Sequence, residues 1–171
     1  MSLSLYDVTV PVYIHGLENM ARILEKALAW AEEKKIDPAV LVNARLAPDM
    51  YPLSGQIQVA SDAAKGGAAR GAGVPPPSFP DTETTFPELQ ERIAKTLEFL
   101  RSVDRAQFDG AEDKEVMIKM RGTEVRFTRL SYVLSMSLPN FYFHLTTAYD
   151  ILRHNGMPLG KMDFIGKVGS L

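Results

Sequence analysis

The chain has 171 residues, no cysteine and three histidines, and its 19 basic and 21 acidic side chains give a net charge of -2. The absence of cysteine excludes a disulfide framework, a thiolate zinc site, an iron–sulfur cluster and a cysteine nucleophile. The balanced charge argues against a nucleic-acid partner. A chain of this length is typical of one domain, so we predict a single domain over residues 1–171.

The first predicted helix runs from about Val10 to Lys34. Its apolar residues recur every three or four positions, which is the spacing of one helix face. They are Val10, Ile14, Leu17, Ala21, Leu24, Leu28 and Ala31. A second apolar stripe widens this face, so we expect neighbours on more than one side. Asp37 and Pro38 then begin a short helix, with Asp37 as its N-cap.

The second long helix is predicted to begin at Pro52. Its second half is rich in Ala and Gly, and each Gly lowers helix propensity by ~1 kcal/mol. We therefore infer that its backbone approaches a neighbouring helix closely there. The proline-rich residues 74–87 predict an extended loop, and Thr84 or Thr85 caps a third helix after it. The buried stripe of that helix is Leu89, Ile93, Leu97 and Leu100.

Alternating apolar and polar residues on both sides of Gly122 predict a β-hairpin within residues 114–129. The last helix is predicted from about Pro139 to Asn155, with a break in the chain at Pro139. The tail from Met157 onwards is expected to pack as a loop over the bundle end or on a partner subunit. The fold class is therefore mainly α, a four-helix bundle with a small hairpin between the third and fourth long helices.

Residues 130–149 contain no Asp, Glu, Lys or Arg and are long enough to raise the possibility of a membrane span. Their Ser, Thr, Asn and His side chains would be costly in hydrocarbon. Residues 1–10 carry no basic residue and do not form a secretory signal. We therefore expect a cytoplasmic protein with no membrane partner.

The polar residues that face the predicted core are candidates for a site. His144 borders the core face of the last helix, and Asn140 precedes it by one turn. This spacing suits paired ligands, but Asn amides bind borderline metals poorly, so a buried His that is hydrogen-bonded to a neighbouring helix is the favoured interpretation. Gln56 lies on the core-facing stripe of the second helix. It either bonds another helix or shares a pocket with Asn140 and His144, to which Asp49 and Asp62 would add carboxylates.

The other two histidines are weaker candidates. His154 follows His144 by ten residues, about 15 Å along one helix, so the two cannot share a metal ion. We interpret His154 as a residue of the helix end, where a cation is favoured. His15 lies on the flank of the first helix, and we expect it to be solvated or interfacial. A role for His15 at the mouth of the bundle is the alternative.

Several segments carry family motifs: Arg45–Met50, Pro139–His144, Thr147–Tyr149, Ile151–Gly156 and Gly160–Phe164. They resemble an uncharacterised bacterial family, known as a domain of unknown function, within the DinB/YfiT-like superfamily. The resemblance covers nearly the whole chain and implies a four-helix bundle that is often dimeric. It also implies a divalent metal such as zinc or nickel, which many members hold through one His on the second helix and a His-x-x-x-His pair on the last.

At the matching positions this chain has Gln56, Asn140 and His144, so two of the three histidines are replaced. One hypothesis is a small-molecule-binding or non-catalytic homodimeric module with a degenerate metal pocket. The other is a metal-dependent transferase or hydrolase of the DinB-like type, acting on a small thiol or amine substrate. In that case His144 would be a ligand or a base, and Gln56 and Asn140 would complete the site.

Overall fold

The computed structural model describes residues 4–120 and 122–167. In chain order its α-helices and β-strands are α1 (Val10–Lys34), α2 (Pro38–Val42), α3 (Leu53–Ala72), α4 (Phe86–Ser102), β1 (Glu115–Met120), β2 (Thr123–Thr128), α5 (Arg129–Tyr132), α6 (Leu138–His154) and α7 (Lys161–Ile165), and a 3-10 helix covers Arg105–Phe108. The four long helices α1, α3, α4 and α6 form the bundle. The predicted four-helix architecture with a hairpin before the last long helix is confirmed.

The first helix has the predicted bounds and the predicted neighbours. Its broad apolar face packs against α4, α6 and α7, as well as more lightly against α3. Asp37 caps α2 as expected, because its Oδ1 accepts a hydrogen bond from the Ala39 N–H at 2.9 Å. Thr85 caps α4, and the Glu88 carboxylate reaches back to the Thr85 N–H at 3.0 Å. Local capping chemistry therefore fixes where these helices begin.

The Ala/Gly-rich half of α3 stays helical to Ala72. A Cβ atom at Gly67 would overlap the hydroxyl groups of Tyr13 and Ser137. Tyr13 donates to Ser137 Oγ at 2.7 Å, and Ser137 donates to the Ala63 carbonyl at 3.0 Å. At Gly67, buried side chains of α1 and of the segment before α6 thus lie directly against the backbone of α3.

The hairpin is confirmed, with β1 antiparallel to β2 and Met120 opposite Thr123. Gly122 has φ +86°, a conformation that favours glycine in a two-residue turn. The other turn position, residue 121, lies outside the described residues. The inner face of the hairpin packs on the bundle core through Val116, Ile118 and Phe127.

The entry to α6 differs from the prediction. The chain is already helical from Arg129, and a π-helical turn over Val133–Ser137 joins α5 to α6 without a break. The Leu138 N–H donates to the Val133 carbonyl, five residues back. Pro139 has no N–H to donate, and the wider π turn lets the helix pass over it.

The expected tail loop contains the short helix α7, which packs on α1. Asn19 Nδ2 donates to the last two carbonyls of α7 at 3.0 Å, and His15 Nε2–H donates to the Ile165 carbonyl at 2.7 Å. Five residues cannot hold a helix by themselves, so these bonds to otherwise unpaired carbonyls stabilise it. Residues 168–171 of the tail lie outside the described residues.

The uncharged residues 130–149 lie in α5, the π turn and most of α6. Some of their apolar side chains, such as Phe141 and Leu145, are buried in the bundle core, whereas Phe143 is exposed. Within the part of the chain that the structure describes, no helix is long and apolar enough to cross a membrane.

Candidate functional site

Two of the three predicted pocket residues meet where α3 packs against α6. Gln56 lies in the first turns of α3 and is 1% exposed, and His144 lies near the middle of α6 and is 7% exposed. His144 Nδ1 and Gln56 Oε1 are 2.7 Å apart. The side-by-side packing of the two helices thus joins residues that are 88 positions apart in the sequence.

The orientation of the Gln56 amide fixes the proton on His144. Gln56 Nε2 donates to the Tyr51 carbonyl at 3.0 Å, so Oε1 is the atom that faces the imidazole. An amide oxygen only accepts, so Nδ1 of His144 carries the hydrogen. In the neutral imidazole the lone pair is then on Nε2. Burial lowers the pKa of His144 and favours this neutral form.

Asn140 stands apart from this pair. It is half-buried on α6, one turn before His144, and its side chain makes no hydrogen bond to any residue in the described ranges. Surface cavities of about 230 to 350 Å³ occur elsewhere, and none of these four is lined by Gln56, Asn140 or His144. The pair is therefore a buried polar contact beside the core, with Asn140 at its edge.

Neither aspartate is hydrogen-bonded to Gln56 or His144 within the described residues. Asp49 is exposed. Asp62 lies 2.8 Å from both Lys65 Nζ and Arg92 Nη2. The expectation for Asp62 is therefore wrong, because a buried guanidinium and a buried ammonium group on the other side of α3 bind its carboxylate.

The three predicted residues offer two amides and one imidazole, and both polar atoms of Gln56 are already hydrogen-bonded. Zinc and nickel sites in proteins are built from imidazole, thiolate and carboxylate ligands. Over residues 4–120 and 122–167, no group of three His, Asp or Glu side chains could hold a metal ion. Gln56, Asn140 and His144 do not fit a resident zinc or nickel ion.

The remaining histidines serve the ends of helices. His154 is the exposed last residue of α6, as the sequence predicts. His15 is half-buried and contacts the C-terminal end of α7, so its partner is within its own chain. Within the described part of the chain, neither histidine is hydrogen-bonded to His144.

A charged cluster centred on Arg92 of α4 was not predicted from the sequence. The Arg92 side chain is 1% exposed, and its guanidinium lies 2.8 Å from Asp62, 2.9 Å from Asp81 and 3.0 Å from Glu83. Burial would raise the pKa of Glu83, but hydrogen bonds from Gln58 and Arg92 outweigh it and lower that pKa. These five residues, with the neighbouring Lys65, are called the Arg92 cluster below.

The spacing of residues in α4 does indicate that Arg92 is buried. It follows the buried Leu89 by three residues and precedes the buried Thr96 by four, so helix periodicity places it on the inner face. Its partners Asp81 and Glu83 come from an extended loop. No period in the sequence predicts where such a loop passes over a helix.

Comparisons with known proteins agree with this fold. The family described as Domain of unknown function (DUF1993) matches residues 5–165. A crystal structure of a DinB family member protein from Shewanella denitrificans is similar, with 41% sequence identity and a TM-score of 0.88 over 98% of this chain and 94% of that chain. No curated protein matches the sequence. The resemblance seen in the sequence is confirmed.

Proposed function

Because this chain belongs to the Domain of unknown function (DUF1993) family and has a DinB-like fold, we propose that it is a small-molecule-binding or non-catalytic homodimeric module. Its polar anchor is the pair Gln56 and His144, with Asn140 beside it, at the positions where the superfamily places metal ligands. We also propose that the module works in the bacterial cytoplasm. Separation of membrane and soluble cell fractions tests this location.

One observation carries the proposal: the hydrogen bond from His144 Nδ1–H to Gln56 Oε1. A histidine at position 56 would offer a nitrogen lone pair to a metal, whereas the glutamine amide is turned towards His144 and Tyr51. The pair satisfies its own polar atoms except for Nε2 of His144, which has no hydrogen-bond partner in the described residues. A ligand with an O–H, N–H or S–H group would donate to this lone pair.

Elemental analysis of the purified protein tests the metal part of the proposal. We expect zinc and nickel well below one atom per chain, because a single imidazole is a poor divalent site. His144→Gln serves as the reference, and its metal content should equal that of the wild type. Stoichiometric metal that is lost in His144→Gln would overturn the proposal.

Binding is tested by a thermal-shift screen of small neutral compounds that carry hydrogen-bond donors. Compounds that stabilise the wild type should stabilise His144→Phe less, because phenylalanine keeps the ring and removes the acceptor. His154→Phe is the matched control, since it changes an exposed histidine on the same helix. If every stabilising compound acts equally on His144→Phe, the pair is not the binding anchor.

The same lone pair on Nε2 favours one alternative, a metal-dependent transferase or hydrolase acting on a small thiol or amine substrate. A neutral imidazole with a pKa lowered by burial is able to take a proton from a thiol or amine substrate. The test is turnover of thiol and amine substrates with added zinc or nickel. Activity that disappears in His144→Gln, and falls in Gln56→Leu and Asn140→Ala, would favour the enzyme over the binding module.

The homodimer is supported by apolar side chains that this chain leaves exposed near α6. Leu134 and Phe143 are half-exposed, and Tyr142 between them is also exposed. Burying such groups against a second copy removes apolar surface from water. Light scattering should give twice the chain mass of 19.0 kDa, and Leu134→Glu should shift the protein towards monomer. A monomeric wild type would remove the dimer from the proposal.

A further inference from the structure

A cavity of about 300 Å³ lies between α3 and the proline-rich segment that follows it. Its floor is one face of α3, with residues spaced by three or four positions, and its wall is residues 76–79. The floor residues are Asp62, Lys65, Gly66 and Arg70. Gly66 follows Gln56 by ten residues, about 15 Å along the helix, so this cavity is separate from the Gln56–His144 pair.

Arg70 is held across the helix surface in this cavity. A Cβ atom on Gly66 would lie 2.5 Å from Arg70 Nη1, so only glycine leaves room for this position of the guanidinium. Tyr132 holds the other side, because its hydroxyl accepts from Nη1 at 3.3 Å and its ring centre lies 5.5 Å from the guanidinium carbon. Within residues 4–120 and 122–167 no carboxylate forms an ion pair with Arg70.

Lys65 supplies a second cation in the same cavity. Its side chain is 7% exposed, and its ammonium group lies 2.8 Å from Asp62 and 4.4 Å from the centre of the Phe79 ring. The Asp62 carboxylate also binds Arg92. The cavity therefore contains two cations, Lys65 and Arg70. Its one carboxylate, Asp62, is shared with Arg92.

We propose that this cavity binds an oxyanion group of a small ligand, either a phosphate or a carboxylate. Arg70 has five N–H donors and one hydroxyl partner among the described residues, and its planar fork matches two oxygens of such a group. Lys65 adds a point charge beside it. Because both cations are held by aromatic rings before the ligand arrives, binding requires little ordering of long side chains.

Titration with inorganic phosphate and with acetate, at constant ionic strength set by sodium chloride, tests the proposal by calorimetry. We expect at least one of the two anions to bind the wild type, and the tighter one identifies the chemical class of the ligand. Arg70→Met should weaken that binding by about tenfold or more, because it removes charge-assisted hydrogen bonds. Arg126→Met, which removes an exposed arginine of the hairpin, should bind like the wild type.

A second pair of variants does not depend on Arg70. Ser78 is an exposed residue of the cavity wall. Ser78→Asp places a competing carboxylate there and should weaken binding, whereas the neutral Ser78→Asn should not. The proposal is overturned if neither anion binds the wild type, or if Arg70→Met and Ser78→Asp, both folded by circular dichroism, bind as tightly as their controls.

Discussion

Two regions along α3 bury polar groups in different ways. Near its start, Gln56 pairs with His144, and both partners are uncharged at neutral pH because burial lowers the pKa of the histidine. Further along, the Arg92 cluster buries a full charge. An uncharged group needs one well-placed partner, whereas a buried cation needs counter-charges and several acceptors.

The two regions differ in the number of groups that bind the buried side chain. Arg92 Nη1 donates to both oxygens of Glu83 and to the Pro80 carbonyl, and Nη2 lies within 3 Å of Asp62 and Asp81. The cluster thereby ties the proline-rich loop to α3 and α4. The uncharged pair therefore involves the first turns of α3, whereas Asp62 and Lys65 of the charged cluster lie further along that helix.

The largest expected effect comes from Arg92→Met, which removes the cation and leaves Asp62, Asp81 and Glu83 without it. We expect unfolding to become easier by about 3 kcal/mol, the lower end for a broken buried pair, because Asp62 and Asp81 still reach solvent. Urea denaturation measures the change. Arg101→Met on the same helix removes an exposed arginine paired with Glu18 and should change stability by less than about 1 kcal/mol. Equal losses in the two variants would contradict the contrast.

Gln56→Leu breaks the uncharged pair and should have a smaller effect. It leaves the His144 Nδ1–H and the Tyr51 carbonyl without their partner, which should destabilise the protein by about 1 to 2 kcal/mol, less than Arg92→Met. The same denaturation experiment measures it. Gln107→Leu, at an exposed glutamine, is the control and should change stability less. If Gln56→Leu lowers the free energy of unfolding as much as Arg92→Met does, an uncharged buried pair is as sensitive to the loss of a partner as a charged one.

Gln56→Glu converts the uncharged pair into a charged one. A carboxylate beside the imidazole favours the imidazolium form, so the pKa of His144 should rise above its wild-type value. NMR titration of the histidine ring protons measures the shift, and His144→Gln identifies the signal. An unchanged titration would show that residue 56 does not contact His144 in solution.

The smallest expected effect is the pH dependence of the wild type. The pKa of His144 in the folded state is lower than its ordinary value of 6.5, so below that pH the unfolded chain binds the proton more readily than the folded one. Stability should therefore decrease as the pH falls from about 6.5 towards the folded-state pKa, and level off below it. His144→Gln should lack this decrease. A wild type with the same slope as the variant would contradict the lowered pKa.

Local patterns in the sequence were enough for most of the fold. The spacing of apolar residues gave α1 its full length, and Asp37 and Thr85 marked helix starts because a capping side chain bonds the backbone within three residues. The alternation on both sides of Gly122 gave the hairpin. The π turn at Val133–Ser137 was missed, since no residue type announces a hydrogen bond that spans five positions.

The candidate site was predicted only in part. Helix periodicity placed Gln56 and His144 on core-facing surfaces, but only the packing of α3 on α6 decided that their atoms would meet at 2.7 Å. Asn140 was placed on the same helix face by its spacing, yet it bonds to neither. Helix periodicity predicts the face of its own helix on which a side chain lies. The distance to a partner also depends on how a second helix packs against that face.

The sequence by itself determined most of the helices, the hairpin and the family, because these depend on residue type and short-range spacing. The tertiary structure decided which buried polar groups pair. Gln56 is hydrogen-bonded to His144 and Tyr51, and Asp62 forms ion pairs with Arg92 and Lys65. A buried polar group takes whichever partner the packing brings within hydrogen-bond distance, and that distance is a property of the folded chain.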